Sequence, residues 1–472
     1  MVNILDGDGT SMVEAISTGE LSAVELMSAT LERVRERNGA VNAIVGMRQE
    51  EELMAEARRA DAEPRKGFLH GIPIAIKDLA ETAGLRTTMG SPIFKDYIPD
   101  ADCPLVARLK ASGAIVIGKT NTPEFGLGSH SYNPVYGVTR NPYDLTRTAG
   151  GSSGGAAAAL AAGMVGFADG SDMMGSLRNP AAYCNVYGFR PSWGRIPMAA
   201  NGDTYLHRLA TEGPMARSIR DLAALFDVMQ GHDGHWPSPQ FADPVSASAN
   251  LTADVSTCRL AWLGDWGGEL PMEPGVLDLS MSVPKALEGL GCQIETLDKI
   301  HDLKEIWQSW LVLRWFSNAA RSRPLYEDKD KRALLKPEAI WEIENGLALS
   351  AMQIEDASIL RSKWLRRAVD LFEDFDALLL PSAQLFPFEA EMDWPKEISG
   401  VTMDTYHRWM EIVVPASLIG LPTLNVPAGF DQRGLPMGVQ IIGAPGADLK
   451  VLQLGEAYHQ MTNWPQKSPP TF

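Results

Sequence analysis

Cysteine is scarce in this sequence, with four among 472 residues: Cys103, Cys184, Cys258 and Cys292. They are widely separated and form neither a CxxC pair nor a Cys/His ligand spacing. This excludes a disulfide scaffold and a cysteine-based zinc module, and it fits reduced thiols in a cytoplasmic protein, with Cys184 read as a small buried side chain. Positive charge is also short. Asp and Glu number 59 against 42 Lys and Arg, a formal net charge of -17. A nucleic acid or an anionic membrane surface demands a basic face, so neither is expected as a partner. Long apolar runs are missing. Ile412 to Phe430 has spanning length, but Pro415, Pro422 and Pro427 interrupt it, which argues against a membrane helix. The first residues, MVNILDGDGT, lack the basic and apolar regions of a signal peptide. His232 and His235 have H-x-x-H spacing in a turn-like segment without further ligands, and no metal or other cofactor is expected.

What is present is the composition of a globular protein, 45% hydrophobic and 21% charged. No repeat, low-complexity tract or linker divides the chain. The expected arrangement is one domain: a helical region over 1–60, a catalytic core over 61–230, a variable tryptophan-rich region over 231–400, and a return to the core over 401–472. A helix is predicted from Ser22, where Ser22 and Glu25 fit a capping box and Val24, Met27, Leu31 and Val34 share a face. Residues 71–80, GIPIAIKDLA, read as a buried strand with Ile72, Ile74 and Ile76 on one face and Lys77 on the other. A helix over 104–112 and a strand over 114–117 follow, and this alternation favours an α/β fold with a mixed, mainly parallel sheet covered by helices on both faces. Residues 123–148 form a long polar stretch with several aromatics, and loops of that length are commonly functional.

All twelve tryptophans lie after Ser176, three of them in EIWQSWLVLRWF, residues 305–316. A tryptophan-rich helix is more often core than pocket. The competing expectation is a substrate pocket lined by Trp307, Trp310 and Trp315. Near the C-terminus a strand is predicted over 437–442 and a helix from about Asp448.

The chemistry concentrates between Gly150 and Pro180, GGSSGGAAAALAAGMVGFADGSDMMGSLRNP. Its first turn matches G-x-S-x-G about Ser152, yet the preceding residues read as loop rather than the strand a nucleophile elbow requires, and the P-loop lysine is missing. Its second turn places Ser176 after a strand. Backbone N–H groups of Met173, Met174, Gly175 and Ser176 could converge there as an oxyanion hole, where one donor is worth roughly 3–4 kcal/mol of barrier. A serine hydroxyl needs a base. No histidine lies between His130 and His207, whereas a neutral Lys77 acting through Ser152 would serve. Lowering a lysine from about 10.4 toward 7 costs about 1.4 kcal/mol per unit, and a buried apolar strand makes that shift feasible.

Lys77 in GIPIAIKD, the run KTNTPEFGLGS, the segment TRNPYDLTRTAGGSSGGAAAALAAG and GSDMMGSLRNPAA resemble the successive blocks of the amidase signature family. The similarity continues through GFRPSWGRIP, GPMARSIRDLA, PASLIGLPTLNVPAGF and GLPMGVQIIG, nearly the whole chain. The resemblance implies a Ser-cisSer-Lys triad with Ser176 as nucleophile, Ser152 as bridging relay and Lys77 as general base. It also implies a cis Gly151–Ser152 peptide, with Asp172 and Arg178 bracing the site. It departs at Met174, where the family usually has glycine; positive φ there would strain a Met, whereas ordinary backbone would let the side chain line the pocket. The implied activity is hydrolysis of a small or medium apolar carboxamide, cytoplasmic and without cofactor. Two alternatives use the same triad: a subunit supplying ammonia from glutamine to a partner enzyme, or an esterase or carbamate hydrolase. The oligomeric state is left open, and a homodimer fits.

Overall fold

The computed structural model describes residues 4–199, 202–237 and 245–472. Among these residues the main sheet has eleven strands. In spatial order they are Ile44–Val45, Ile115–Thr120, Pro73–Lys77, Phe167–Asp172, Thr211–Ala216, Tyr187–Arg190, Thr423–Phe430, Pro436–Gly443, Ala377–Pro381, Arg259–Trp262 and Gln293–Thr296. The strands from the tryptophan-rich region therefore extend the same sheet as those from the N-terminal half.

Helices cover both faces, and the sheet is mixed. The expectation of a mainly parallel sheet is corrected: six of the ten neighbouring pairs are antiparallel and four are parallel. Parallel pairing occurs where a helix supplies the crossover, as between Pro73–Lys77 and Ile115–Thr120, which flank the helix Pro104–Ala111. In the centre, strands meet antiparallel. Thr423–Phe430 and Pro436–Gly443 are joined by a tight turn closed by the Asp431 and Leu435 backbone, a connection that permits only antiparallel pairing. The helix–strand alternation of the first 120 residues does not persist there.

The period-two pattern of Pro73–Lys77 is realised. Ile72, Ile74 and Ile76 pack on one face with Phe167, Tyr187 and Leu424, under the helices Ile219–Met229 and Asp448–Thr462. Ala75 packs on the other face with Ala168, Met215 and the helices Ala23–Val41 and Gly154–Ala161. The Ala23–Val41 helix has the full Ser22/Glu25 capping box. Every residue of Gly154–Ala161 is buried, as expected of a helix without a polar face.

This short helix approaches the sheet so closely that glycine is required. The Gly155 N–H donates to the Asn121 carbonyl at 3.1 Å, and a Cβ at Gly155 would collide with the Asn121 backbone and the Ala43 carbonyl. Gly155→Ala should therefore destabilise the protein by about 1–3 kcal/mol, the usual range for overpacking, read as a lower urea midpoint with an unchanged slope.

Candidate active site

Lys77 ends its strand almost fully buried, with 1% of its surface exposed. Its Nζ lies 2.8 Å from Ser152 Oγ, 2.8 Å from Ser153 Oγ, 3.1 Å from Ser171 Oγ and 3.3 Å from the Ser171 carbonyl. Among the described residues no carboxylate comes within ion-pair distance of this nitrogen. Burial pushes the ammonium down to about 8, against the opposing pull of Glu212, Asp169 and Asp172. An amine ringed by hydroxyls tolerates the neutral state, because each hydroxyl can donate as well as accept.

The Gly150–Ser153 turn that presents Ser152 is held from outside. The Gly151–Ser152 peptide is cis. Ser131 N–H donates to the Gly150 carbonyl at 3.0 Å, Ser129 Oγ donates to the Gly151 carbonyl at 2.5 Å, and Gly154 N–H donates to Ser131 Oγ at 3.1 Å. Residues 123–148, expected only as a long loop, thus brace this turn, and they contain two short ribbons, Tyr132–Asn133 with Gly137–Val138 and Arg140–Asn141 with Asp144–Thr148. Ser153 N–H donates to the Ser176 carbonyl at 3.3 Å, which ties the first serine turn to the second.

The second turn is built on Asp172. Its carboxylate accepts from Gly175 N–H at 2.8 Å, from Leu177 N–H at 3.1 Å, and from Arg178 Nε and Nη2 at 3.0 Å each. Burial would raise this carboxyl, but the Arg178 guanidinium outweighs it and the carboxyl is held at about 2. Arg178 reaches on to the Val413 carbonyl at 3.0 Å, Ser417 Oγ at 2.6 Å and Gln440 Oε1 at 2.5 Å, joining the turn to the C-terminal strands.

Ser152, Ser176, Met173 and Met174 face one cavity of about 140 Å³. Met174 has no positive φ, whereas Gly175 does at 81°, so the Met is accommodated as ordinary backbone and lends its side chain to the wall. Two expectations are corrected here. Gly175 is not free to serve as an oxyanion donor, because its N–H is committed to Asp172; Met173, Met174 and Ser176 remain. Trp307, Trp310 and Trp315 do not line the cavity. Trp307 and Trp310 are buried in the apolar core, and Trp315 packs edge-on against Trp341. The helix that carries them, Leu303–Glu327, presents Arg314, Asn318 and Arg321 to the cavity, residues spaced i, i+4, i+7 on a different face. The apolar lining from Leu79, Leu127, Met198 and Met410 therefore meets a charged wall that includes Glu212.

Ser153, Ser171, Asp169 and Glu212 were not singled out from sequence. Asp169 accepts from Lys77 N–H at 3.0 Å, and Glu212 pairs in register with Ser171 on the neighbouring strand. A signal existed in the strand FADGSD itself, where two aspartates occupy an otherwise small and apolar buried segment.

The Amidase family model matches residues 25–452. An acylamidase of Rhodococcus erythropolis is 32% identical over 98% of this chain and 96% of its own length. A glutamyl-tRNA(Gln) amidotransferase subunit of Chloroflexus aurantiacus is 31% identical over 98% and 97%. Among solved structures, a bacterial aryl acylamidase superposes with a TM-score of 0.91 at 27% identity, and a 6-aminohexanoate cyclic dimer hydrolase with 0.88 at 25%, each covering 99% of both chains. The class is an amide-hydrolysing enzyme. The chain belongs to the amidase signature family. Among the described residues no helix is long and apolar enough to cross a membrane.

Asp172→Asn should leave the buried Arg178 without its counter-charge. Breaking such a pair costs about 3–5 kcal/mol, to be read as a fall in thermal midpoint.

Proposed function

We propose that this enzyme hydrolyses a small or medium carboxamide to an acid and an amine or ammonia through an acyl-enzyme on Ser176. The observation that carries the reading is the contact between Lys77 Nζ and Ser152 Oγ, 2.8 Å apart, beside the cavity that Ser176 shares. Neutral Lys77 takes the Ser152 proton as Ser152 takes that of Ser176, and Ser176 Oγ forms its bond to the amide carbon. The amides of Met173, Met174 and Ser176 are the donors left to hold the oxyanion. The relay then reverses, the proton passes to the leaving nitrogen, and the C–N bond breaks. Water, deprotonated through the same chain, attacks the ester and frees Ser176. The methionine and leucine side of the cavity supports an apolar group at the scissile end, and the acylamidase relatives support an amide over an ester or carbamate.

A second reading, release of ammonia from glutamine for a partner enzyme, is supported by the similarity to the glutamyl-tRNA(Gln) amidotransferase chain. The two separate in a substrate panel. Turnover of simple anilides by the purified chain favours the first, and turnover confined to glutamine favours the second.

Ser176→Ala should lower kcat by about 10⁴-fold or more, in line with loss of a catalytic nucleophile, and abolish labelling by a serine-directed phosphonate. Retained labelling would overturn the assignment of Ser176. The base form of Lys77 is the unprotonated one, so activity must grow as pH rises through its pKa. Below about 8, kcat/KM should increase about tenfold per pH unit and level off above it; a profile flat from pH 6 to 9 would remove Lys77 as the base.

A further inference from the structure

At Arg314 and Asn318 the charged wall beside Met173 is built unlike a solvated surface. Arg314 is 3% exposed. Its Nε donates to Glu342 Oε1 at 2.6 Å and its Nη2 to Tyr406 Oη at 2.6 Å, and Tyr406 Oη donates to the same Glu342 oxygen at 2.7 Å. These contacts lock the guanidinium plane. Among the described residues the remaining nitrogen, Nη1, meets only the Met173 thioether, at 3.3 Å, and a thioether is a weak acceptor. One turn further along the helix, Asn318 is 7% exposed and lines the same cavity, and among the described residues its Nδ2 has no hydrogen-bond partner. A buried donor left unsatisfied is costly and calls for an acceptor.

Arg321 completes the face. It lines both the Ser176 cavity and an adjoining one of about 430 Å³, the two sharing Met173, Met198 and Ala210. Among the described residues no carboxylate lies within ion-pair distance of Arg321. Glu212 lines the Ser176 cavity and Asp203 the adjoining one; burial pushes the Glu212 carboxyl upward, away from the charged form, against the pull of Lys77 and Arg321. Arg314, Asn318 and Arg321 thus offer donors and no acceptor but the Asn318 carbonyl oxygen. From position 314 to 321 the helix rises about 10 Å, so the face begins beside Met173 and ends at the junction of the two cavities.

We infer that this helix face is a subsite for a carboxylate carried by the substrate, so that the preferred amide bears a free acid several ångströms from its scissile bond. The inference rests on the amidase reading and narrows its substrate class. A carboxylate accepts two parallel N–H donors from a guanidinium. It would satisfy Asn318 Nδ2 and give Arg321 an ion pair in contact distance, where among the described residues it feels only the field of Glu212. The apolar side of the cavity would then hold the segment between acid and amide.

The test uses matched anilides in two sets. Butyranilide, succinic acid monoanilide and 4-aminobutyranilide place no charge, an acid or an ammonium on the acyl side. Acetanilide and 4-acetamidobenzoate do the same, without the ammonium, on the amine side. In the wild-type enzyme at least one carboxylate compound should exceed its neutral partner in kcat/KM by tenfold or more. Arg321→Gln should reduce that ratio at least tenfold, through KM rather than kcat. Arg321 is solvent-exposed at the cavity mouth, so this variant tests recognition and not folding. Calorimetric titration of the Ser176→Ala protein with the same compounds reads binding without turnover: the carboxylate ligand should bind at least tenfold more tightly than its neutral partner, and the added Arg321→Gln change should erase the difference. Equal or weaker binding of both carboxylates, or a preference untouched by Arg321→Gln, overturns the subsite. Absence of turnover in the wild type with this binding preference intact would instead count against the amidase reading alone.

Discussion

The structure depends on a lysine amine removed from water with, among the described residues, no carboxylate within ion-pair distance of it. Lys77 sits where a strand leaves the apolar core, and the side chains around its nitrogen are hydroxyls of three serines drawn from two separate segments. Desolvation of that kind disfavours charge, and it is balanced here only by the more distant fields of Glu212, Asp169 and Asp172. Everything near it serves to hold hydroxyl groups still. The Gly150–Ser153 turn is pinned by Ser129 and Ser131, the Ser176 turn by Asp172, and the two turns by each other through Ser153 and the Ser176 carbonyl.

Asp172 holds the nucleophile turn in shape. It spends its oxygens on Gly175, Leu177 and Arg178, and so shapes the turn while removing one amide from the set that could face a developing oxyanion. Arg178 carries the same constraint outward to Ser417 and Gln440. A charge pair buried on all sides is a poor source of net stability but a strict source of geometry, since leaving either member alone is expensive.

The tryptophan-rich helix divides its labour by face. Trp307 and Trp310 supply buried area that fastens it to the sheet and to the helix Ala351–Asp374, while the polar residues a few positions on reach the cavity. Large aromatic rings bury well and make rigid anchors. Specific recognition falls to donors whose direction is set by such anchoring, as Arg314 is set by Glu342 and Tyr406.

Much of this was legible in the residues themselves. The capping box at Ser22, the alternation of Ile72, Ile74 and Ile76, and the glycine–serine turn before an alanine helix follow from local rules of backbone and burial. The blocks around Lys77, Ser152 and Ser176 pointed to the family because they follow one another in the family's order, with further matching blocks over nearly the whole chain. Three matters were decided only by the tertiary structure. The antiparallel centre of the sheet arises from pairing between distant segments, which helix–strand alternation does not encode. The commitment of Gly175 to Asp172 depends on how one turn closes in space. The exchange of tryptophans for Arg314, Asn318 and Arg321 at the cavity depends on how a helix is rotated about its axis, and that rotation is set by what it packs against. Sequence determines which chemical groups are available and on which local element; the angle at which elements meet determines which of those groups face the substrate.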